Sequence, residues 1–528
     1  MINPGSIKDS DLTEVIRLYI HTFGAEPSSI TPLAGAGSPR RYFKITGTDG
    51  SILAATRGDD KAENRAFIEL SHHLADECLL PVPRVVAVSH DGLTYLQTWA
   101  GDRDLLTTLQ DSKTDGNFSL TGINLLEEAM RSVARIQYIG GRNLDYSICY
   151  PHTEMDRRLI RWDLNYCKYC FLKPSGIPFD EDRLQDDFDR LESVLMAGSN
   201  SWCTFMLRDF QSRNVMVNGS KLTVIDFQGG RRGPGAYDVA SFLWQAKACY
   251  PDNLRKHLID VYIDECRHLD KNFDEERFRQ TLPKFVLFRI LQTLGAYGFR
   301  GWVERKPHFL QSVPFGADNL FTLFSDKDLA AQYPALHQIA IRLHAQFGSE
   351  AARKLADRYR RIIPAVDNPL TVRVTSFSFK KGIPTDPTGN GGGFVFDCRA
   401  PHNPGRYEPY KKLTGLDQPV REFLEKDGEI KPFIEECKEL VDSSVERYLQ
   451  RRFTDLSVNF GCTGGQHRSV YSADAIARHL NNKYGVKVIL SHREQGIETI
   501  LPAKDVDVVF DSFLRDTHKP YNPENNRL

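Results

Sequence analysis

The sequence predicts two domains of different class: an α+β domain with a small strand-rich lobe and a larger helical lobe, then a separate α/β domain. Three observations support this prediction. The chain has 528 residues, too many for one ordinary hydrophobic core. Helical periodicity dominates from about 120 to 363, after a shorter strand-rich part. Strands, loops and helices then recur in alternation after residue 370, as in an α/β domain.

The strand-rich lobe is predicted from short apolar runs separated by turns that contain glycine or proline. Its expected elements, in chain order, are a helix over 10–22, a glycine-containing turn and strand over 33–45, a hairpin turn over 47–50, a strand over 52–55, a helix over 61–77, and strands over 81–88 and 93–99. The helical lobe is expected to end with a helix over 335–362. We therefore predict a first domain over 1–363 and a linker over 364–369.

The second domain is predicted over 370–528, because the pattern changes after the linker. Its expected elements are strands over 370–377 and 394–399 on either side of a glycine-rich insert at 388–393, helices over 417–425 and 430–452, and a strand over 456–460 that enters a glycine-rich loop and another helix.

Composition excludes several classes of function. The net charge of -1 gives no general attraction to nucleic acid or anionic membranes. The N-terminus lacks the basic and then apolar pattern of a signal peptide, and no uncharged apolar run could span a membrane. Ten scattered cysteines are typical of free thiols in a reducing cytoplasm. We interpret the lone pair Cys167 and Cys170 as packing residues, since no second pair follows at zinc-finger spacing.

The most informative residues are Asp209, Asn214 five positions later and Asp226 twelve beyond that, each beside short apolar runs. Phosphoryl transfer needs one carboxylate to orient the accepting hydroxyl, and an amide and a carboxylate to hold Mg²⁺ between the phosphates. Each residue alone is also explained by turns and caps, where Asp and Asn are favoured. The set at this spacing indicates a kinase.

The chain resembles the aminoglycoside phosphotransferase family of small-molecule kinases at three places: the run 207–209, Asn214 and the run 224–227. The resemblance covers about residues 10–350 and implies a protein-kinase-like bilobal fold, with ATP and Mg²⁺ as cofactors. It implies that Asp209 is the catalytic residue and that Asn214 and Asp226 are the Mg²⁺ ligands.

Finer features resemble the kinases that phosphorylate the C1 hydroxyl of N-acetylmuramate or N-acetylglucosamine in cell-wall recycling. These features are the runs 225–228 and 40–43, and the run 155–159 leading to 169–172. The resemblance implies an amino sugar as substrate. Asp238 lies in a following segment that also matches these kinases, and we interpret it as a structural residue that caps or braces a helix.

The sequence departs from this family at the lysine that contacts the ATP phosphates. That lysine should fall near residues 55–57, where none is present, so we expect Arg57 or Arg40 to substitute for it. The expected acidic partner is Glu63 on the following helix, with Glu69 as the second candidate.

A glycine-containing turn precedes the strand that follows Arg40. We expect Gly35, Gly37 and Ser38 in this turn to cover the phosphates through backbone N–H groups. The missing lysine leaves a pseudokinase as the alternative, although the three residues that chemistry requires are all retained.

A second candidate site lies in the predicted α/β domain, where the run 459–471 follows a strand and opens a helix. Its glycines let backbone N–H groups turn inward, and the helix N-terminus adds partial positive charge. Arg468 and His467 can supply further donors. We expect a cradle for an anion, phosphate above all.

Two interpretations of this loop compete. The run 462–469 fits the C-x-x-G-x-x-R-S pattern of cysteine phosphatases, in which a thiolate attacks phosphorus. The region of about 370–495 resembles the C-terminal domain of the RNase adapter protein RapZ. The runs that carry this resemblance, in that family's order, are 376–384, 396–399, 402–404, 414–420 and the Cys-Thr-Gly-Gly loop.

The RapZ resemblance implies a domain that binds RNA and senses glucosamine-6-phosphate, with no phosphatase activity. The ligand-binding residues that we expect from it are Thr463, Gly464, Gly465, Gln466, His467, Arg468 and Ser469. Cys462 is then interpreted as a small buried residue and not as a nucleophile.

The sequence also departs from RapZ. It contains no G-x-x-x-x-G-K-[ST] motif, and the tail over 496–528 is acidic where RNA binding would need basic residues. This tail argues against RNA as a partner without excluding it, whereas a phosphosugar ligand stays expected.

Together the two regions predict an ATP- and Mg²⁺-dependent kinase for a hydroxyl of an amino sugar, with a C-terminal regulatory domain that binds a phosphosugar. The opposing class is a non-catalytic pseudokinase regulator with an RNA- or metabolite-binding module.

Overall fold

A computed structural model of the chain describes residues 9–33, 40–113, 117–199, 203–389 and 393–510. The chain forms two compact units, of which the first reaches Ala352 and the second begins at Arg353. Each unit has its own hydrophobic core. The predicted pair of domains of different class is therefore confirmed.

The first unit begins with a five-stranded antiparallel sheet and two helices. These elements are α1 (Asp9–Phe23), β1 (Ser29–Leu33), β2 (Arg41–Thr46), β3 (Ile52–Arg57), α2 (Lys61–Ser71), β4 (Val85–Val88) and β5 (Thr94–Thr98). The strand order is β1-β2-β3-β5-β4, and a π-helical turn over 72–77 continues α2. Alternate residues of the strands, such as Phe43 and Leu96, are buried with Val15 of α1.

Helices build the rest of the first unit. They are α3 (Leu105–Asp111), α4 (Leu120–Tyr138), α5 (Arg157–Cys167), α6 (Lys173–Ser175), α7 (Glu181–Ser199), α8 (Ala236–Leu243), α9 (Asp252–Leu269), α10 (Glu275–Gly298), α11 (Pro307–Leu310), α12 (Val313–Leu323), α13 (Lys327–Gln332), α14 (Pro334–Phe347) and α15 (Ser349–Tyr359). The long helix α10 packs against α5, α7, α8 and α12. It has apolar residues on all sides because it lies within the core, where Phe285, Leu287 and Leu291 are buried.

Two small antiparallel sheets interrupt these helices and carry the candidate site. Their strands are β6 (Arg103–Asp104), β7 (Cys203–Met206), β8 (Val215–Asn218), β9 (Lys221–Val224) and β10 (Arg231–Pro234). They pair as β6-β8-β9 and as β7-β10. Asp209 follows β7, Asn214 directly precedes β8 and Asp226 follows β9. Short hairpin strands thus bring residues that are up to 17 positions apart to one place.

The second unit is a mixed sheet with helices. Its elements are β11 (Arg360–Ile363), β12 (Thr371–Ser378), β13 (Phe394–Asp397), α16 (Gln418–Asp427), α17 (Ile430–Arg451), β14 (Asp455–Cys462), α18 (Arg468–Tyr484), β15 (Lys487–His492), β16 (Ile497–Leu501) and β17 (Val506–Val509). The main sheet has the order β13-β14-β12-β15-β16, with β16 antiparallel to its neighbour and the other pairs parallel. Val374, Val458 and Val488 form its core with Val441 of α17 and Ile476 of α18.

The division between the units differs from the predicted one. The single helix expected over 335–362 is two helices, α14 and α15, and residues 360–363 form strand β11. This strand pairs antiparallel with β17, so the structure places it in the second unit and not at the end of the first. The predicted linker at 364–369 therefore lies inside the second unit.

Helix length and polarity were also compared with what a bilayer requires. In the part of the chain that the structure describes, no helix combines the length and the apolar character needed to cross a membrane.

Candidate functional site

Asp209 lies in the loop after β7, and 47% of its side chain is exposed. Asp238 of α8 fixes the backbone of this loop, because its carboxylate accepts hydrogen bonds from Leu207 N–H at 2.9 Å and Arg208 N–H at 2.8 Å. Gln137 of α4 donates a third from Nε2, also at 2.8 Å. Asp238 therefore braces the loop that presents Asp209, in addition to its place in the first turn of α8.

The contact between Arg208 and Asp238 bears on both the backbone strain of Arg208 and the charge of Asp238. Arg208 has a φ of 70°, a left-handed conformation that costs a residue with a side chain about 1–2 kcal/mol. The hydrogen bond from its N–H to Asp238 helps to hold that conformation. Burial raises the pKa of Asp238 to about 7, even though its three hydrogen bonds favour the ionised carboxylate.

Asn214 and Asp226 are brought into direct contact with the Asp209 loop. Asn214 donates from Nδ2 to the backbone carbonyl of Asp209 at 2.8 Å and to Asp226 Oδ2 at 3.2 Å. Because the amide nitrogen makes both bonds, neither of them uses the amide oxygen of Asn214, which is an acceptor. Gln228 donates to the other oxygen of Asp226 at 2.7 Å. An amide oxygen beside a carboxylate is a donor set that fits Mg²⁺.

Asp226 is exposed and lies beside Asn214 and Gln228. The loss of hydration at this position, ahead of the negative charge of Asp209, raises the pKa of Asp226. Its φ of 65° is also left-handed, which turns the side chain away from the course of β9. The next residue, Phe227, stacks on Phe67 of α2 with ring centroids 4.7 Å apart. This stack ties the proposed metal ligand to the sheet lobe.

Arg40, and not Arg57, contacts the predicted acidic partner. Arg40 is buried, and its Nε lies 3.5 Å from Glu63 Oε2. Arg57 donates instead to Thr94 Oγ1 at 2.8 Å, and its Nε lies 3.3 Å from Asp11 Oδ1. Of the two arginines expected to replace the lysine, the structure thus brings Arg40 to Glu63 and directs Arg57 elsewhere.

The other residues predicted to contact the cofactor or its arginine are Glu69, Gly35, Gly37 and Ser38. Glu69, the second acidic candidate, pairs with Arg65 on its own helix at 2.6 Å. Gly35, Gly37 and Ser38 lie outside the described residues.

Three arginines around Asp209, which we call the arginine cluster, are Arg208, Arg231 and Arg289. Arg289 of α10 has 5% of its side chain exposed, and its Nη2 lies 3.4 Å from Asp209 Oδ1. Its other terminal nitrogen donates to the Tyr237 hydroxyl at 2.9 Å. Arg208 is the first neighbour of Asp209 in sequence, whereas Arg289 comes from a helix that no local motif connects to the site.

Asp163 and Asp209 are acidic residues close to the cluster. The nearest pairing of Arg208 is with Asp163 Oδ1, at 3.7 Å. Arg231 of β10 donates only to a backbone carbonyl, that of Gly229. Burial, and then the charge of Arg208, lowers the pKa of Arg231 to about 10. Arg208 and Arg231 thus repel each other, and an anion placed between them would relieve that repulsion.

The second candidate site begins where β14 ends. Cys462 is 4% exposed, and its Sγ accepts a hydrogen bond from Gly465 N–H at 3.2 Å and lies 3.2 Å from Ser469 Oγ. Gly465 has a φ of 67°, and a Cβ there would lie 2.4 Å from Glu494 Cγ. The loop therefore requires glycine at this position, and it closes around the sulfur of Cys462.

The side chains of the loop divide into two groups. Gln466 donates from Nε2 to the carbonyls of Lys411 and Leu413, at 2.9 and 2.7 Å, and His467 Nε2 lies 2.9 Å from Tyr410 O. These two side chains hold the segment 410–413, so only their backbone is directed to the loop interior. Thr463 and Gly464, by contrast, are exposed.

Arg468, the first residue of α18, is 5% exposed. Its Nη1 donates to the carbonyls of Arg399 and Pro401, at 2.7 and 2.6 Å. Its Nε has no hydrogen-bond partner among the described residues. A buried guanidinium fixed at one end and unsatisfied at the other is suited to an anion that enters the loop.

The thiol of Cys462 differs from the buried cysteines around it. Burial raises its pKa, but the hydrogen bonds from the Ser469 hydroxyl and from the N–H groups of Ser469, Gln466 and Gly465 outweigh burial, so its pKa is lowered. Burial, and then the charge of Glu436, raises the pKa of Cys437 to about 12. The expectation that Cys462 is buried is confirmed: it belongs to the hydrophobic core of the second unit, and its sulfur also contacts polar groups of the loop.

Comparison with known families matches each unit to one model. The phosphotransferase enzyme family matches residues 29–279, and the RapZ C-terminal domain matches residues 370–496. Both resemblances found in the sequence are thereby confirmed. The strand-rich lobe followed by a helical lobe is the protein-kinase-like architecture that the first of them implied.

Curated relatives match the second unit. A nucleotide-binding protein of Acidithiobacillus ferrooxidans is 37% identical over 178 residues, which are 34% of this chain and 52% of that protein. A nucleotide-binding protein of Thermosipho africanus is 36% identical over 141 residues, 27% of this chain and 48% of that protein. The chain spans about half the length of these relatives.

Solved structures that resemble the chain include two small-molecule kinases. Amicoumacin kinase, solved with AMP-PNP and Ca²⁺, has a TM-score of 0.42 and 13% identity, covering 63% of this chain and 98% of that one. Choline kinase of Cryptosporidium parvum has a TM-score of 0.39 and 14% identity, covering 59% and 93%.

Proposed function

We propose that the first unit is an ATP- and Mg²⁺-dependent kinase that transfers the γ-phosphoryl group to a hydroxyl of an amino sugar of the N-acetylmuramate or N-acetylglucosamine class. The observation that carries the proposal is the contact of Asn214 with both the Asp209 loop and Asp226. It joins the base and the two metal ligands into one unit. The family match to phosphotransferases supports the same reaction class.

In this proposal each residue has one role. Asn214 and Asp226 would hold Mg²⁺, which when bound would offset the negative charge of the ATP phosphates. Asp209 accepts a hydrogen bond from the acceptor hydroxyl, orients its oxygen towards the γ-phosphorus and takes its proton. Arg40, held by Glu63, supplies the positive charge that the family's lysine supplies elsewhere. Asp238 keeps the loop of Asp209 in place.

The arginine cluster favours an anionic acceptor. Arg208, Arg231 and Arg289 lie near Asp209, and the contact of Arg208 with Asp163 is long, at 3.7 Å. N-acetylmuramate carries a carboxylate and N-acetylglucosamine does not. A guanidinium pair binds a carboxylate through charge-assisted hydrogen bonds. Within the proposed class we therefore favour N-acetylmuramate, and with it a role in cell-wall sugar recycling.

For the second unit we propose a regulatory role through binding of a phosphosugar. The loop 463–469 offers backbone N–H groups, the N-terminus of the 17-residue helix α18 and the unsatisfied Nε of Arg468. A phosphate group would satisfy these donors. The cysteines that the structure describes are free thiols, which is consistent with a reducing cytoplasm as the place of action.

The kinase proposal is tested by ATP consumption with N-acetylmuramate and N-acetylglucosamine, in wild type and in Asp209→Ala. We expect turnover in wild type and a loss of at least about 100-fold in the variant, with nucleotide binding retained. Binding of ATP without turnover on any sugar of a broad panel would contradict the proposal. That result would favour the alternative, a pseudokinase regulator with an RNA- or metabolite-binding module, for which the absence of lysine from β3 is the supporting observation.

A further inference from the structure

The loop that follows β14 holds a sulfur atom at the centre of an anion site. Cys462 Sγ accepts a hydrogen bond from Gly465 N–H at 3.2 Å, and the Ser469 hydroxyl oxygen lies at the same distance from Sγ. A neutral thiol is a weak acceptor, so several N–H and O–H donors directed at one sulfur indicate a thiolate. The N-terminus of α18 adds further positive potential at this end of the loop.

The other described cysteines of the second unit provide an internal comparison. Cys398 and Cys437 are as deeply buried as Cys462, and burial raises the pKa of both thiols. Neither has a ring of loop N–H groups around its sulfur. The polarity at Cys462 is therefore a property of this loop and not of the core in general.

Arg468 supplies the second independent feature. It follows Cys462 by six positions, is 5% exposed and is fixed to the carbonyls of Arg399 and Pro401 through Nη1 alone. Its Nε has no partner in the described part of the chain. Thr463 and Gly464, on the open side of the loop, are exposed, and a Cβ at Gly464 would meet nothing within 4 Å. The loop thus combines an exposed side with a buried guanidinium nitrogen that has no partner in the described part of the chain.

We propose that Cys462 is a nucleophile and that the second unit hydrolyses phosphomonoesters through a cysteinyl-phosphate intermediate. This inference rests on the anion site proposed above and gives that site a chemical activity. A phosphate bound by the backbone N–H groups of this loop would lie close to the sulfur, because Gly465 N–H is within 3.2 Å of Sγ.

The reaction has two balanced steps. In the first, Cys462 Sγ attacks phosphorus, the S–P bond forms as the bond from phosphorus to the ester oxygen breaks, and the departing oxygen takes a proton from water. In the second, water attacks phosphorus, the S–P bond breaks and inorganic phosphate leaves with regeneration of the thiolate. Ser469, whose hydroxyl contacts the sulfur, stabilises it as the leaving group in this step. The net change is hydrolysis of one phosphate ester.

The test uses the full-length protein with p-nitrophenyl phosphate and with glucosamine 6-phosphate. EDTA is present and ATP is absent, so that the kinase site is silent. The variants are Cys462→Ser, Ser469→Ala and, as a matched buried-cysteine control, Cys437→Ser. We expect hydrolysis by wild type and by Cys437→Ser, and a loss of about 1,000-fold or more in Cys462→Ser. Mass spectrometry of a rapidly quenched reaction should find one phosphoryl group on the Cys462 peptide.

Thermal unfolding with inorganic phosphate separates the two proposals. A rise in Tm with phosphate in wild type and in Cys462→Ser, but no hydrolysis by wild type, would overturn the nucleophile and leave the anion site standing. The same rate in Cys462→Ser as in wild type would also overturn the nucleophile. Neither a Tm shift nor hydrolysis would overturn both. Retention of the Tm shift in Cys462→Ser shows that this variant folds and that its lost rate reports chemistry.

Discussion

Arg40 reaches Glu63 across the edge of the sheet lobe, with Arg40 Nε 3.5 Å from Glu63 Oε2. Kinases of this kind are expected to carry a lysine on the third strand for the ATP phosphates, and β3 has none. Arg40, the residue that precedes β2, instead places a buried cation in this lobe, beside Glu63. The chain thus forms an arginine–carboxylate ion pair in this lobe, from a residue next to β2 and one on α2.

The first prediction concerns this pair. Arg40→Met should raise the KM for ATP by about 10- to 100-fold, because a charged hydrogen-bond donor contributes about 1.5–3 kcal/mol. Arg57→Met is the matched control, since Arg57 contacts Asp11 and Thr94 and not Glu63. It should leave the KM for ATP within about threefold of wild type. Steady-state kinetics with ATP varied checks both, and equal effects of the two variants would contradict the assignment of Arg40.

The second prediction concerns metal binding and pH. Loss of hydration, and then the charge of Asp209, raises the pKa of Asp226, and Mg²⁺ binds only the deprotonated carboxylate. The affinity for Mg²⁺ should therefore weaken as pH falls through this raised pKa, at a higher pH than an ordinary Asp would require. Titration of Mg²⁺ between pH 8 and 5 measures the effect, and Asp226→Asn should abolish its pH dependence.

The third prediction concerns Asp238 and stability. Its pKa is about 7 in the folded protein and 3.8 as the ordinary value, so the folded state holds a proton between these values that the unfolded state has lost. The contribution of Asp238 to stability should thus fall as pH rises from about 4 to 7. Asp238→Asn removes this dependence.

The same substitution should disturb the Asp209 loop. The amide NH₂ of an asparagine would face one of the N–H groups of Leu207 or Arg208, which costs about 1–3 kcal/mol at pH 7. We expect a lower Tm together with a lower kcat, measured by thermal unfolding and kinase assay. A variant that lost stability but kept the wild-type kcat would show that Asp238 does not position the loop.

The fourth prediction concerns acceptor choice. Arg208→Gln should lower kcat/KM for N-acetylmuramate by about 10-fold or more and leave that for N-acetylglucosamine nearly unchanged, because only the former offers a carboxylate to a guanidinium. Lys256→Gln, which removes a positive charge from the exposed face of α9, serves as the control. Parallel losses for both sugars would argue against an anionic acceptor.

The fifth prediction concerns the glycines of the second unit. A Cβ at Gly415 would lie 2.2 Å from His467 O and 2.5 Å from Tyr471 N, both backbone atoms, whereas one at Gly464 would meet nothing within 4 Å. Gly415→Ala should therefore displace the loop, lower Tm and abolish the Tm shift with phosphate. Gly464→Ala should keep both close to wild type. Thermal unfolding with and without phosphate compares them.

The sequence predicted regular elements best where the hydrophobic pattern was strong. The helix expected over 430–452 is Ile430–Arg451, and the strand expected over 370–377 is Thr371–Ser378. Strand β1 was missed because Ser29–Leu33 is mostly exposed and contains Pro32, so it has no alternating pattern. Strand β11 was read as the end of a helix, since its pairing with β17 depends on residues about 150 positions away.

The candidate site was predicted in part for a similar reason. Asp209, Asn214 and Asp226 are recognisable because short hairpins keep their spacing fixed. The choice between Arg40 and Arg57 depended on strand register. Arg41 lies opposite Arg57, and both contact Asp11, which leaves the preceding residue Arg40 to point to the other face. The direction of the Arg40 side chain can thus be assigned only after α1, β2 and β3 have been placed relative to one another.

The pairing of β11 with β17 sets Arg360 opposite Val509. The polypeptide therefore enters this α/β unit and approaches its last described strand at neighbouring points. A segment whose first and last strands adjoin in this way can be joined into a surface loop of another host without stretching the polypeptide. The antiparallel pair thus holds the two ends of the segment 360–509 together. This segment can therefore serve as a recombination unit in evolution or as a component for protein engineering.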